Sequence, residues 1–145
     1  FPDVTNADII VNGNGGADSI TVIRNSNNPT TINGGDGNDT ITVGNGVYEG
    51  NITTAVSARG DGDLDTLVFN DASSLTGDSY TITGNTFVRT TPGGSPVSGS
   101  LFSSGSVTAI RVIGAGGNDL LDATAVNAAT PLTLIGGAGD DTLIG

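Results

Sequence analysis

The sequence predicts an all-β chain wound as a parallel β-helix (β-solenoid) of about six coils, with one glycine-rich turn in each coil. Three observations carry that prediction. A nine-residue segment recurs five times with an aspartate always in its sixth place. Apolar residues recur at every second position on both sides of that segment, the period of a half-buried strand. The composition also suits short strands between tight corners: of 145 residues 24 are Gly and 35% are hydrophobic, which is too apolar for a disordered tail.

The five segments are GNGGADSIT from Gly13, GGDGNDTIT from Gly34, GDGDLDTLV from Gly60, GAGGNDLLD from Gly114 and GGAGDDTLI from Gly136. Their sixth places hold Asp18, Asp39, Asp65, Asp119 and Asp141, and their eighth places hold Ile20, Ile41, Leu67, Leu121 and Leu143. Two residues before each segment stand Val11, Ile32, Ala58, Val112 and Leu134. Each unit therefore reads as strand, tight corner, strand. The segment starts are spaced by 21, 26, 54 and 22 residues. The long interval is about two units of 27, so one coil without a turn aspartate is expected around Tyr80–Gly84 and Phe87–Val88. Residues 25–29 and 44–50, polar and turn-rich, are expected to close a third side of the coil, and the Gly/Ser-rich stretch 93–105 reads as an exposed loop. One domain is expected over residues 1–145.

Composition removes many activities. The chain has no His, Cys, Met or Trp, and its four cationic residues are all Arg. A zinc site of the usual kind, a Ser-His-Asp triad, a thiol nucleophile and a lysine Schiff base are therefore excluded. Fifteen acids against four arginines give a net charge of -11, so nucleic acid and anionic membrane surfaces are poor partners. No apolar run approaches a membrane span. The nearest thing to an unassigned acid–base cluster is Tyr48, Glu49 and Arg59, and the chain is expected not to be an enzyme. Arg89, in the coil lacking a turn aspartate, reads as solvated or as a fixed positive charge there.

Stacking like turns places successive carboxylates about 5 Å apart, which costs about 3 kcal/mol per neighbouring pair at an effective dielectric of 20. A divalent cation removes that cost. Calcium takes six to eight hard oxygen ligands, and glycines let backbone carbonyls turn inward. The expected cofactor is Ca2+, with folding coupled to its binding.

The nonapeptide G-G-x-G-x-D-x-U-x resembles the calcium-binding repeat of the RTX (haemolysin-type) proteins. Segments 34–42 and 136–144 match it fully; the others carry Asn14, Asp61, Asp63 or Ala115 where Gly is expected. The resemblance implies ions held between stacked turns by sixth-place carboxylates and turn carbonyls. The expected metal residues are Asp18, Asp39, Asp65, Asp119 and Asp141, with Asp36 and Asp63 in the same turns, and the first-place glycines Gly13, Gly34, Gly60, Gly114 and Gly136. RTX arrays place nonapeptides on both sides of each coil. With one per coil here, a single column of ions is expected.

Ser19, Thr40, Thr66 and Thr142 form a seventh-place column, read either as an ice- or sugar-binding face or as β-propensity on an exposed surface. Asn38-Asp39-Thr40 and Asn51-Ile52-Thr53 have the form of glycosylation sequons.

Two functional expectations follow. The first is a secreted, extracellular or cell-surface, calcium-stabilised structural or adhesive protein. It would be a fibre or surface-layer subunit stacking head to tail on itself or on neighbouring repeats of a longer chain, with the Asp141 turn facing the Asp18 turn or its equivalent across a junction. The second is a passive carbohydrate-binding or secretion-associated RTX module of a larger polysaccharide-acting protein, with cell-surface polysaccharide as its partner.

Overall fold

The computed structural model describes residues 7–25, 27–94, 97–102, 107–126 and 129–145, and these contain strands, turns and no helix. The all-β reading holds. In the first part of the chain each Gly/Asp corner separates two short strands: β1 (Ile9–Asn12) from β2 (Ser19–Val22), β3 (Thr30–Gly35) from β4 (Thr40–Val43), and β5 (Val56–Asp61) from β6 (Thr66–Asn70). β7 (Ser79–Thr83), β8 (Thr86–Thr90) and β9 (Val97–Phe102) follow. Then β10 (Ala109–Ile113) precedes β11 (Leu120–Ala125), and β12 (Leu132–Ile135) precedes β13 (Thr142–Ile144).

The strands form two sheets. One has eight strands in the order β1-β3-β5-β9-β8-β7-β11-β13; the other has five in the order β12-β10-β6-β4-β2. The repeat columns pair in register and in parallel: Val11 beside Ile32 and Ile32 beside Ala58, Ile20 beside Ile41 and Ile41 beside Leu67. One face of each strand is therefore apolar along the whole stack. The core between the sheets contains Ile32, Ile41, Val56, Leu67, Val112 and Leu121.

The expected single parallel β-solenoid of about six uniform coils is not what forms. The eight-stranded sheet is mixed, because β8 runs antiparallel to both β7 and β9. Thr83 pairs with Thr86 across the two-residue loop Gly84-Asn85, a tight hairpin with Gly84 at φ 55°. Large rings fill the core at this point. Phe87 stacks on Phe69 with centroids 3.8 Å apart and planes 5° from parallel, with Tyr48 and Tyr80 beside it.

The excursion also shifts the phase of the repeat. In the first three units the chain crosses at the Gly/Asp corner from the eight-stranded to the five-stranded sheet. Within the eight-stranded sheet every strand except β8 runs one way, and the five-stranded sheet is parallel throughout. After β7, β8 and β9, all in the larger sheet, the corners at Gly114 and Gly136 cross in the opposite sense. They consequently lie at the other end of the strands.

Other details differ from expectation. Residues 44–50 close an edge of the two-sheet stack rather than a third side: Gly46 N–H donates to Asn70 O and Gly46 O accepts from Ser73 N–H. The stretch 93–105 contains a strand, β9; residues 95–96 and 103–106 lie outside the described residues.

Four of the five corners take a left-handed backbone in the second place of the nonapeptide, and all five take it in the fourth. Asn14, Gly35, Asp61 and Gly137 supply the second, and Gly16, Gly37, Asp63, Gly117 and Gly139 the fourth. Asn and Asp tolerate this region better than other side chains, so three of the departures from Gly are conformationally consistent. Ala115 is not in that region. At Gly35, φ is 106° and a Cβ would collide with the backbone of Asn14 in the adjacent turn. Gly35→Ala is expected to destabilise by at least about 2 kcal/mol, combining left-handed strain with overpacking. Gly50→Ala, at φ 66° with open space around it, carries the strain alone and should cost about 1 kcal/mol. Equal urea midpoints for the two variants would refute the close stacking of turns.

Candidate metal centre

The first three corners form a carboxylate ladder. Asp18 N–H donates to Asp39 Oδ1 at 2.8 Å, and Asp39 N–H donates to Asp65 Oδ1 at 2.9 Å. One oxygen of each upper aspartate thus ties two turns together. The other oxygens, Asp18 Oδ2, Asp39 Oδ2 and Asp65 Oδ2, are buried and accept no hydrogen bond. A Cβ at Gly13 would strike the Gly34 carbonyl oxygen and Asp18 Oδ2; one at Gly34 would strike Asp39 Oδ2 and approach the Gly60 carbonyl oxygen. The space that glycine leaves open is therefore a cradle lined by carboxylate and carbonyl oxygens of successive turns. Burial, then the charges of Asp39, Asp63 and Asp61, raise the Asp65 pKa.

Anionic, oxygen-only donors without hydrogen-bond partners suit a hard cation such as calcium. Asp18, Asp39 and Asp65 with Gly13, Gly34 and Gly60 are brought together as the sequence suggests. Asp36 and Asp63 are exposed on the rim, where Asp63 Oδ2 accepts from Gly37 N–H at 3.0 Å. They are outside the inner row.

A second ladder stands at the opposite end of the strands. Asp78 N–H donates to Asp119 Oδ1 at 2.6 Å, and Asp119 N–H to Asp141 Oδ1 at 3.0 Å. Two expectations are corrected here. There are two carboxylate columns, not one, and the interval between Gly60 and Gly114 does contain a turn aspartate, Asp78. Asp78 follows Asp65 by 13 residues, half a coil, and so falls on the other edge. The Asp141 and Asp18 turns therefore lie at opposite ends of the strands.

The second ladder is differently satisfied. Asp119 Oδ2 accepts from Ala115 N–H at 2.7 Å, a hydrogen bond that the Oδ2 oxygens of the first ladder lack. Gly114 and Gly136 keep the cradle, since a Cβ at either would strike Asp119 Oδ2 or Asp141 Oδ2 respectively. Burial chiefly, with the Asp141 charge, raises the Asp119 pKa.

Asp78 also joins a buried ion cluster that the sequence reading missed. Arg89, only 2% exposed, donates through Nε to Asp71 Oδ2 at 2.7 Å and through Nη2 to Asp78 Oδ2 at 2.7 Å; Nη2 also meets Glu49 Oε1. The solvated reading of Arg89 is overturned. Tyr80 Oη donates to Asp71 Oδ2 at 3.0 Å and Tyr48 N–H to Asp71 Oδ1 at 2.7 Å. Ser74 and Thr76 hydroxyls donate to Glu49 Oε1 at 2.7 and 2.8 Å. Glu49, Asp71 and Asp78 each place an oxygen within 4.8 Å of the others, a grouping able to hold a metal ion. The guanidinium stands among those oxygens and supplies the positive charge.

One arginine cannot neutralise three carboxylates. Burial pushes Asp71 up to about 6 and raises Asp78, against the pull of Arg89. Burial opposes ionisation at Glu49 too, but its hydrogen bonds from Ser74 and Thr76 and the Arg89 charge leave its pKa lowered. Arg89 is raised despite burial by Asp71, Asp78 and Glu49. Burial and the neighbouring acids raise Tyr80. Arg59, by contrast, is exposed on β5 and makes no ion pair with Glu49 among the described residues. The supposed Tyr48–Glu49–Arg59 cluster does not form.

The hydroxyl column is split. Ser19, Thr40 and Thr66 are in-register neighbours in the five-stranded sheet, whereas Thr142 lies beside Leu120 in the other sheet. Compared with known proteins, the chain matches no family model, no curated protein and no solved structure.

Proposed function

We propose that the chain is a secreted, calcium-stabilised structural or adhesive protein of the extracellular space or cell surface, resembling RTX repeat proteins and associating with copies of itself. The observation that carries the calcium reading is the row of unpartnered buried oxygens Asp18 Oδ2, Asp39 Oδ2 and Asp65 Oδ2 against the first-place glycines. Weak all-oxygen sites fill at the millimolar calcium of the extracellular medium. No catalytic role is assigned: Arg89 is committed to ion pairs with Glu49, Asp71 and Asp78.

A calcium titration of Asp39→Asn tests this. Asn keeps the oxygen that Asp18 N–H needs and removes the charge facing the cradle. In chelator the variant is expected to be as stable as wild type or more so, because a repulsion is gone. With calcium at 100 times its Kd, wild type gains about 2.7 kcal/mol per site, and the variant gains at most half of the wild-type total. A melting temperature that is the same in excess EGTA and in millimolar calcium would end the proposal.

The second reading, a passive carbohydrate-binding module, draws on an open cleft of about 690 Å3 bordered by Thr90, Thr91, Asn118, Asp140 and Thr142. Its hydroxyl, amide and carboxylate groups suit sugar hydroxyls. Glycan-array binding by a chain that stays monomeric in calcium would favour it over the first.

A further inference from the structure

We infer that copies of this chain stack end to end without rotation, the β12/β13 end of one receiving the β1/β2 end of the next, so that both sheets continue across the junction. The inference rests on the self-association proposed above and specifies its geometry.

Among the described residues, β1 and β13 are the outer strands of one sheet and β2 and β12 those of the other. Unpaired strand edges seek a partner. Of the eight large apolar side chains exposed among the described residues, five lie on or beside these outer strands: Ile9, Ile10 and Ile23 at one end, Leu143 and Ile144 at the other. The first end also holds a mostly apolar cavity of about 300 Å3 lined by Ile9, Val11, Val22, Ile23 and Arg24. An apolar mouth at one end and apolar strands at the other describe two halves of one contact.

The molecule itself supplies the register. β10, which precedes a corner, lies on β6, which follows one, with Ile110 beside Leu67 and Val112 beside Phe69. A junction of β12 with β2 repeats that relation between equivalent strands. The same offset sets Leu132 beside Ile20, Leu134 beside Val22 and Ile135 beside Ile23, apolar on apolar at each step. Strand directions agree, since the five-stranded sheet is parallel throughout.

The competing junction turns the upper copy by half a revolution, so that the Asp141 turn meets the Asp18 turn. It would place β12 on β1 and set Ile135 beside Asn12 and Thr133 beside Ile10. It would also add one more carboxylate to a ladder. In the unrotated junction the Asp141 corner instead meets the loop carrying Arg24, an exposed cation.

The chain has no cysteine, so disulfide mapping has no background. Thr21 and Thr133 are exposed and become neighbours only in the unrotated junction; Ser19 and Thr142 are exposed and become neighbours only in the rotated one. Adjacent parallel strands lie about 4.8 Å apart, within disulfide reach. After mild oxidation, the double variant Thr21→Cys/Thr133→Cys is expected to give a reductant-sensitive ladder of dimers, trimers and longer species. Ser19→Cys/Thr142→Cys should give at least tenfold less. Ile23→Glu, in an otherwise unchanged chain, should weaken association at least tenfold by sedimentation while leaving the circular dichroism unchanged. If wild type sediments as oligomers but only the Ser19/Thr142 pair cross-links, or neither does, or Ile23→Glu associates normally, the junction is wrong and self-association stands. If wild type is monomeric at all concentrations in millimolar calcium, both fall.

Discussion

Replacing Arg89 with Met is expected to lower the unfolding free energy by about 3–5 kcal/mol, the usual cost of removing one partner from a buried ion pair. Asp71 and Asp78 are 1% and 0% exposed in their side chains, so water cannot take the place of the guanidinium. Met fills the volume but leaves both carboxylates facing an apolar core, together with the partly exposed Glu49. The variant should recover part of the loss as the pH falls, because protonation removes the uncompensated charge. Arg89→Lys should fall between: one ammonium cannot reproduce a fork that reaches Asp71 through Nε and both Asp78 and Glu49 through Nη2. Urea denaturation at neutral pH checks the series. A loss below about 1 kcal/mol for the Met variant would mean that the cluster is solvated in solution.

What the sequence revealed was whatever repeats. The aspartate spacing and the alternating flanks identify the strands around Gly13, Gly34, Gly60, Gly114 and Gly136, and the local register of each column follows from them. What it concealed was the phase change. A spacing of 54 residues looks like two coils, but the chain divides it as 13 and 41, and a half-coil step moves the corner to the opposite edge. The clue was present in Gly77-Asp78-Ser79-Tyr80, an aspartate two places before an apolar strand residue, with Ser73, Ser74 and Thr76 where the nonapeptide has its glycines. Thr83-Gly84-Asn85-Thr86 likewise carries a two-residue hairpin signal between alternating flanks, which a search for identical coils passes over. The first ladder was legible because Asp18, Asp39 and Asp65 act through identical neighbours. The Arg89 cluster was not, because its members come from three separate segments, Glu49 from the turn after β4, Asp71 and Asp78 from the two ends of the β6–β7 connection and Arg89 from β8, and each occurs in a sequence context that nothing else in the chain repeats.

The same cluster predicts an unusual dependence on pH. In the unfolded chain Asp71 titrates near 3.8, and in the folded chain burial lifts it to about 6. Between those values the native state holds a proton that the unfolded state has released. Stability in metal-free solution should therefore fall as the pH rises from about 4 to about 6 and level off above it. A separation of about two units corresponds to about 3 kcal/mol. Asp65, Asp78 and Asp119 are shifted the same way and steepen the decline. Glu49, held below 4.5, acts oppositely, contributing stability that is lost only as the pH drops through its lowered value. General repulsion within so acidic a chain also grows with pH, but its midpoint would sit near 4, where ordinary carboxylates titrate. Urea midpoints at several pH values, with carboxyl-carbon NMR on Asp71, separate the two. A stability that is flat or rising between pH 4 and 6, or an Asp71 midpoint near 4, would show that Arg89 neutralises its three partners after all.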